Sequence, residues 1–277
     1  MVNIGKFNRL SIKKRQDIGV FLDGGRFGEI LMPKRYVPAD CEVGDELEVF
    51  IYLDSEARLV ATSETPLAQV GDIAWLKAVS VDRVGAFLDW GLPKDLLVPF
   101  SEQQHEMEVG RFYLAKIFLD EINRIAASTR IDSFVEDTAE EEPFFTGQKV
   151  SLLIADKTEL GTKAIINHSH WGMLYDNEMF QPVRKGQTLT GYIKKIRDDN
   201  KIDLCLHEPG YKKVGTLTEQ LLVKLKESNG FLNLNDKSPP EEIYATFGVS
   251  KKVFKQAIGA LYKKRLIAIE VAGVRLL

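Results

Sequence analysis

The chain has 277 residues, of which 44% are hydrophobic and 28% are charged, and its formal net charge is −3. This composition is typical of a folded globular protein and excludes an intrinsically disordered one. No apolar run approaches the roughly 18 residues that a membrane helix needs, and the first ten residues lack the apolar core of a signal peptide, so we expect a cytoplasmic protein without a membrane partner. The two cysteines, Cys41 and Cys205, lie far apart, which argues against a disulfide scaffold and a cysteine-based zinc site.

Charge is distributed unevenly along the chain. Residues 182–277 contain 18 basic and 10 acidic side chains, a net of +8, whereas the first 181 residues contain 19 and 30, a net of −11. Such an asymmetry points to a charged partner, although an acidic half that is merely well solvated gives the same totals. The small overall charge therefore does not exclude a nucleic-acid partner.

Three segments of the chain repeat one another. Each contains a glycine that is followed 25 residues later by a second one, and the pairs are Gly19 and Gly44, Gly85 and Gly110, and Gly161 and Gly186. Alternating apolar residues around these glycines predict half-buried strands, and the sequences DSEA, DEIN and RDDN predict turns between them. Units of roughly 65–75 residues with about five short strands predict small closed barrels, for which an OB-type barrel is the obvious candidate.

The middle unit, Val70–Ile131, resembles an S1 RNA-binding domain. The matching stretches are VGDIAWLKAVSVDRVGAFLDWG, DLLVPFSEQ and VGRFYLAKIFLDEINRIAAS, in the order and spacing of that family. The first unit is similar but shorter at its start, and the third, roughly Thr146–His207, has diverged most. Three such barrels followed by a small helical domain resemble the conserved virulence factor B family of bacteria. This resemblance implies a mainly β fold, with tandem S1-type OB-fold barrels and a winged helix at residues 1–65, 66–134, 144–209 and 214–277.

The S1 family binds RNA on a face with two aromatic residues, a histidine, an aspartate and an arginine. Aromatic rings stack on bases, and cations contact phosphates. The resemblance implies these contacts in the first two barrels: Phe21 and Arg58 in the first, and Phe87 and Arg124 in the second, with Trp90 as a nearby aromatic. The remaining positions, where the family prefers an aromatic residue or a histidine, hold Ile18, Pro33, Val84 and Pro99.

Purely structural roles for these residues remain open. A phenylalanine in a strand of a small barrel is as often a core residue as a surface residue. Arg58 and Arg124 can simply pair with Asp54 and Asp120 across their tight turns. Exposed pairs of this kind contribute little to stability, so their recurrence favours another role only weakly.

The third barrel is the more basic one at the matching positions. Lys163 replaces the second aromatic residue, Tyr175 stands at the histidine position, and Lys201 replaces the arginine. The aspartate position has become Arg197, and Trp171 lies nearby. We therefore expect the third barrel to contribute more to electrostatic RNA binding than the first two.

An acidic stretch follows the second barrel at residues 132–143. Its carboxylates are Asp132, Glu136, Asp137, Glu140, Glu141 and Glu142. We interpret this stretch as a solvated linker or a short helix between the second and third barrels. A regulatory or partner-binding segment is the alternative.

Beyond Tyr211 the apolar pattern changes to a helical period. Thr218 is the predicted N-cap of a first helix, Ser238 with the prolines that follow it begins a second, and Ser250 opens a third. The third helix carries apolar residues at i, i+3, i+4 and i+7, namely Phe254, Ala257, Ile258 and Leu261. The final residues, LIAIEVAGVRLL, predict a hairpin that turns at Ala272–Gly273, and three helices with a hairpin resemble a winged helix.

In a helix-turn-helix the second helix of the motif, here the third of the chain, enters the major groove through its N-terminal part. Lys251, Lys252 and Lys255 occupy that part. Because lysine favours phosphate contacts over base readout, we expect a nonspecific grip on RNA or DNA. A solvated basic helix face is the alternative.

The sequence contains no convincing catalytic constellation. His168 and His170 would place two imidazoles on one side of a strand, but no third metal ligand is near in sequence. A phosphate-binding glycine loop and a GxSxG elbow are both absent. We therefore expect no enzyme activity, no cofactor and no bound metal.

The leading hypothesis is a protein that binds single-stranded RNA, for which the resemblance implies a post-transcriptional or regulatory role in a bacterium. Two alternatives remain open. One is a transcription regulator that binds DNA through the winged helix. The other is a protein-interaction scaffold on RNA machinery, whose barrels no longer bind RNA.

Overall fold

The computed structural model describes residues 2–140, 144–176, 179, 182–207 and 212–277, with side chains omitted for 212–216. The predicted fold class is confirmed: the chain is mainly β, with three five-stranded OB-like barrels followed by a small winged-helix domain. Two compact units divide the chain. One contains the first two barrels, and the other contains the C-terminal domain and the third barrel apart from residues 168–170.

The three barrels have the same order of elements. In the first, the strands are β1 (Phe7–Gln16), β2 (Gly19–Asp23), β3 (Glu29–Pro33), β4 (Glu46–Leu53) and β5 (Leu59–Thr62). In the second, they are β6 (Ile73–Asp82), β7 (Gly85–Asp89), β8 (Leu96–Pro99), β9 (Phe112–Leu119) and β10 (Ile125–Ser128). In the third, they are β11 (Lys149–Lys157), β12 (Gly161–Ile166), β13 (His170–Tyr175), β14 (Thr188–Ile196) and β15 (Ile202–Cys205).

Strand pairing follows one pattern in all three repeats. The first barrel closes in the order β1-β2-β3-β5-β4, and the third in the order β11-β12-β13-β15-β14. The second is a sheet in the order β10-β9-β6-β7-β8. Pairing is antiparallel except between the third and fifth strands of the closed barrels, which run parallel. This mixed closure is typical of the OB fold that the repeats predicted.

The first glycine of each repeat is required by a close approach between the second and third strands. Gly19, Gly85 and Gly161 have φ values of 150°, 152° and 158°. A Cβ at these positions would overlap a carbonyl oxygen of the neighbouring strand, that of Met32, Val98 or Leu174. Any side chain would therefore force β2, β7 or β12 away from its partner.

The second glycine of each repeat marks a β-bulge in the first strand. Gly44, Gly110 and Gly186 have φ values of 102°, 87° and 80°, and their amides donate to the carbonyls of Ile12, Ala78 and Ile154 at 2.8–2.9 Å. The register of the first strand shifts immediately after each of those carbonyls. A bulge increases the local twist, which helps a short sheet to close.

Barrels one and two share a hydrophobic core. Phe50 and Tyr52 of β4 pack in one buried cluster with Leu88 and Trp90 of the second barrel. The rings of Phe50 and Trp90 meet edge to face at 5.8 Å. The ammonium of Lys94 also donates to the carbonyl of Asp54 at 2.7 Å. These contacts join the two barrels into one packed body.

The C-terminal domain consists of α1 (Lys212–Glu227), β16 (Phe231–Leu232), α2 (Pro240–Phe247), α3 (Lys251–Lys263), β17 (Ile267–Glu270) and β18 (Gly273–Leu276). Its three-stranded sheet has the order β16-β18-β17. The four predicted apolar residues of α3 are all buried in the domain core.

Helix boundaries in this domain differ in part from the predicted ones. The Thr218 cap is wrong because α1 begins six residues earlier, at Lys212. The N-cap of α2 is Pro239, so Ser238 does not cap it. Ser250 does cap α3, since its hydroxyl accepts from the Val253 amide at 3.3 Å. The hairpin turns at residues 271–272, one residue before the predicted position.

The acidic stretch contains one short 3-10 turn at its start, Ile131–Ser133. Its described part, residues 132–140, has no α-helix, and residues 141–143 lie outside the described residues. No helix in the described parts of the chain is long and apolar enough to cross a membrane.

Candidate nucleic-acid interface

In the first two barrels an aspartate and an arginine close the turn between the fourth and fifth strands. Asp54 Oδ1 accepts from the Arg58 amide at 3.0 Å, and Asp54 Oδ2 accepts from Arg58 Nε at 2.9 Å. Asp120 makes the same contacts with Arg124, both at 2.8 Å. The pairing across the turn that the sequence left as an alternative is therefore present. Both guanidinium groups remain largely exposed to solvent.

Charge on these two aspartates is stabilised by the turn itself. Burial alone would raise the pKa of Asp54 and Asp120. Hydrogen bonds from the amide and the guanidinium of Arg58 or Arg124 outweigh that effect, so the pKa of each carboxyl lies below its ordinary value. Each turn therefore contains a local ion pair, in which the aspartate partly neutralises the charge of the arginine.

The predicted aromatic residues of the first two barrels differ in exposure. Phe21 and Phe87 are half-buried at matching places on β2 and β7, and the Lys14 ammonium lies 4.6 Å from the Phe21 ring centroid. Trp90 is only 2% exposed, and its indole N–H donates to the Lys94 carbonyl at 2.7 Å. Trp90 is therefore a core residue, not an accessible surface for a base, because it packs in the interface between the two barrels.

A groove of about 280 Å³ lies on the third barrel, and it brings together three of the residues that the sequence predicted. They are Lys163 on β12, Trp171 on β13 and Lys201 just before β15. Leu160 and Met173 supply apolar lining. Of the positions that match RNA-binding residues of S1 domains, those of Lys163, Arg197 and Lys201 lie on this concave surface, whereas Tyr175 is not among its lining residues.

Lys163 and Trp171 form a cation–π pair in the groove. The Lys163 ammonium lies 4.0 Å from the ring centroid of Trp171. Trp171 is 8% exposed, so the lysine rather than the ring meets solvent. Attraction between an ammonium and an indole face is worth about 0.5–2 kcal/mol, which is enough to hold the lysine in one place without cancelling its charge.

Arg197, at the position of the lost aspartate, takes part in a polar network within the same barrel. Its Nε donates to Asp203 Oδ1 at 2.7 Å, and its Nη2 donates to the Tyr175 hydroxyl. The side chains of Arg197 and Asp203 are 32% and 13% exposed. The hydrogen bond to Asp203 raises the pKa of Arg197 above its ordinary value. The network therefore neutralises Arg197 and engages Tyr175, the residue at the histidine position.

Neutralisation of Arg197 leaves the positive charge of the groove to the two lysines. In the described parts of the chain, neither ammonium group has a carboxylate within 4.0 Å, although Asp137 also lines the groove and the Lys201 amide donates to Asp199 Oδ1 at 3.3 Å. The predictions missed Asp203, whose signal was a single carboxylate within the otherwise apolar strand sequence IDLC. They also missed Leu160 and Met173, since neither matches a family position.

Two of the three lysines named as candidate contacts on α3 are exposed in the structure. Lys252 and Lys255 are exposed on the side of α3 opposite its buried face. Lys251 is half-buried. The exposed side of α3 continues through Gln256 to Lys263 at the end of the helix.

The histidine pair has a different geometry from the predicted one. His168 lies in the turn before β13 with φ of 63°, whereas His170 is the buried first residue of the strand. The two imidazoles are therefore not on one side of a strand. Among the residues that the structure describes, no three histidine, cysteine or carboxylate side chains are arranged to hold a metal ion.

Models of two known domain families match parts of the chain, and they indicate its class. A model of the S1 domain matches residues 4–64, and a model of the CvfB-like winged helix domain matches residues 219–276. The chain thus combines two kinds of nucleic-acid-binding domain, neither of which is an enzyme family.

Relatives of known name confirm the resemblance to conserved virulence factor B. The chain is 27% identical over 248 residues to that protein from Staphylococcus epidermidis, covering 86% of this chain and 82% of the relative. It is 28% identical over 267 residues to the uncharacterized protein YitL of Bacillus subtilis, covering 92% and 87%. It also resembles a crystal structure of a multidomain protein with nucleic acid binding domains from Streptococcus pneumoniae, at 24% identity, 99% and 98% coverage and a TM-score of 0.43.

Proposed function

We propose that the protein binds single-stranded RNA through the groove of the third barrel and the basic side of α3, and that it acts in post-transcriptional regulation. The observation that carries the proposal is the groove itself. It combines apolar lining with two lysines whose ammonium groups form no ion pair among the described residues, and both lysines stand at positions that match RNA-contacting residues of S1 domains. RNA is favoured over DNA by the three barrels. The relatives named conserved virulence factor B connect chains of this type with bacterial virulence.

The chemistry of the groove suits a nucleotide. Leu160 and Met173 offer an apolar surface to the face of a base, and Lys163 and Lys201 offer ammonium groups to its phosphates. Proteins hold single-stranded nucleic acids by packing bases on apolar side chains, most often aromatic ones, and by placing cations along the backbone. The volume of about 280 Å³ is close to the lower end of ligand-sized pockets, which start near 300 Å³.

The first two barrels contribute weaker contacts in this proposal. Arg58 and Arg124 are partly neutralised by their aspartates, and Phe21 and Phe87 present only part of their rings. Their half of the chain is acidic, which repels a polyanion. Several weak surfaces on one chain still add to avidity once the third barrel holds the RNA.

Fluorescence anisotropy with a labelled single-stranded RNA tests the proposal on the full chain. We expect Lys163→Gln with Lys201→Gln to weaken binding about 10-fold and to reduce the slope of log affinity against log salt by about 1.4, since each lost phosphate contact removes about 0.7. Arg58→Gln with Arg124→Gln removes the same charge and serves as the matched control, with an expected loss below about 2-fold. Equal losses in both pairs, or no binding by the unaltered chain at low salt, would contradict the proposal.

Duplex DNA is the second candidate partner, because Lys252 and Lys255 are exposed on a helix of winged-helix type. The same assay with duplex DNA of equal length separates the two candidates. A preference for the duplex that disappears in Lys252→Gln with Lys255→Gln would favour a DNA-binding regulator. Absence of binding to either nucleic acid would favour a protein-interaction scaffold.

A further inference from the structure

Gly259 lies inside α3, the helix expected to meet nucleic acid, four residues before the helix ends. Glycine is the poorest helix former after proline, because the unfolded chain loses more freedom at glycine than at any other residue. A glycine inside a helix therefore needs a reason, either in packing or in binding.

Packing gives no reason for Gly259. A Cβ at this position would meet no atom within 4 Å apart from the backbone of its own helix, so alanine fits without any shift. Its φ is that of an ordinary helical residue. By contrast, a Cβ at Gly273 of the same domain would overlap the Leu232 carbonyl oxygen, so that glycine is required by the sheet. The protein keeps the weaker helix former at a place where its own fold accepts alanine.

The surroundings of Gly259 indicate what the missing side chain leaves room for. Residues three, four and seven positions away lie on the same side of a helix. Lys252, Lys255 and Lys263 lie seven and four residues before Gly259 and four after it, and all three are exposed. Tyr262, three residues later, is 57% exposed. In the described parts of the chain none of these lysines has a carboxylate within 4.0 Å.

We infer that Gly259 is the point at which the sugar–phosphate backbone of the bound nucleic acid approaches the α3 backbone most closely. This inference rests on the proposed nucleic-acid binding and adds the position of one contact. The absent Cβ lets a phosphate approach about 1.5 Å nearer to the helix, the length of one carbon–carbon bond. Shorter distances strengthen its attraction to the three surrounding ammonium groups. Tyr262 borders the same contact, where its ring can lie against a sugar or a base.

Two substitutions at Gly259, measured in the full chain by anisotropy with single-stranded RNA and with duplex DNA, test the inference. We expect Gly259→Ala to leave the melting temperature unchanged or higher and to weaken binding about 5-fold. Gly259→Lys adds a positive charge, yet we expect it to weaken binding at least as much, because its side chain occupies the path of the phosphate. Gln220→Ala, an exposed substitution on α1, is the control and should leave affinity unchanged.

Unchanged affinity in Gly259→Ala, or tighter binding in Gly259→Lys, would overturn the inference, since both results mean that the face attracts by charge alone. These failures differ from a failure of the proposed function. If Lys163→Gln with Lys201→Gln abolishes binding while Gly259→Ala does not change it, only the contact at α3 is wrong. If the unaltered chain binds neither nucleic acid, the proposed function fails and this inference with it.

Discussion

In the first two barrels an aspartate and an arginine close the turn between the last two strands by pairing with each other. In the third barrel the same turn carries Arg197 and Lys201, and the carboxylate has moved to Asp203 on the following strand. The main-chain bonds of the turn have not changed. The amides of Asp54, Asp120 and Arg197 donate to the carbonyl four residues later at 2.9–3.0 Å in each barrel.

The comparison teaches that the backbone of this turn does not depend on the aspartate. Asn200 in the third barrel and Asn123 in the second adopt nearly the same positive φ, 59° and 60°. Of these two turns, only the one that contains Asn123 has an ion pair between an aspartate and an arginine. The side chains at the turn are therefore free to change role while the barrel stays the same. In the third barrel that change releases one lysine, Lys201, to the groove.

The largest expected effect tests whether the first glycine of each repeat is required for steric reasons. Gly161→Ala places a Cβ onto the Leu174 carbonyl oxygen, so we expect the free energy of unfolding to fall by at least about 3 kcal/mol. Gly186→Ala is the matched control, since its Cβ would meet nothing within 4 Å and only its φ of 80° is unfavourable. We expect that change to cost about 1–2 kcal/mol. Urea unfolding measures both, and equal costs would contradict the steric explanation.

A second prediction compares the two kinds of ion pair. Arg197→Gln leaves the poorly exposed Asp203 without its charged partner, and we expect a loss of about 2 kcal/mol. Arg124→Gln removes an exposed guanidinium whose aspartate keeps its main-chain donors, and we expect a loss below about 1 kcal/mol. Denaturant midpoints of the two variants give the comparison. A larger loss for Arg124→Gln would mean that the pairs of the first two barrels are the structural ones.

A third prediction concerns a difference between the first two barrels. Ala57 and Asn123 hold the same turn position with the same φ of 60°, which costs alanine more than it costs asparagine. We expect Ala57→Asn to stabilise the protein by about 0.5–1 kcal/mol and Asn123→Ala to destabilise it by a similar amount. Thermal unfolding checks both signs, and two changes of the same sign would show that neighbours, not φ, decide the cost.

The smallest expected effect is a pH dependence confined to the first two barrels. Because the pKa of Asp54 and Asp120 is lower in the folded protein than in the unfolded chain, their stabilisation is complete above about pH 4 and is lost as pH falls through the folded pKa. Asp54→Asn with Asp120→Asn should therefore lower the urea midpoint at pH 7 and lower it by less at an acidic pH below about 4. A constant difference at both pH values would show that the charge of these aspartates is irrelevant.

The barrels were predictable because their determinants are local in sequence. Paired glycines 25 residues apart mark a strand contact and a bulge, and each needs glycine for a reason that one barrel supplies by itself. The predictions missed a third series of glycines. The backbone amides of Gly5, Gly71 and Gly147 each donate a hydrogen bond to the fourth strand of their barrel, at 2.7–2.9 Å. The cap at Ser250 was predictable for the same reason, since it acts over three residues.

The remaining features depend on contacts that no local pattern encodes. The burial of Trp90 depends in part on Phe50 and Tyr52 of another barrel, a contact that the sequence of a single repeat does not encode. The role of Asp203 depends on the side chain of Arg197, which lies across the turn, just after the end of β14. The start of α1 was missed because its first residues lack the apolar period by which the helix was recognised.

The shared core of the first two barrels has a consequence for how the protein is made. Phe50 and Tyr52 leave the ribosome some 40 residues before Trp90, at roughly 5–20 residues per second. For a few seconds the first barrel therefore exposes an aromatic surface that only the next barrel can cover. The first barrel expressed separately should be prone to aggregation. The smallest unit that folds independently should therefore be the first two barrels together.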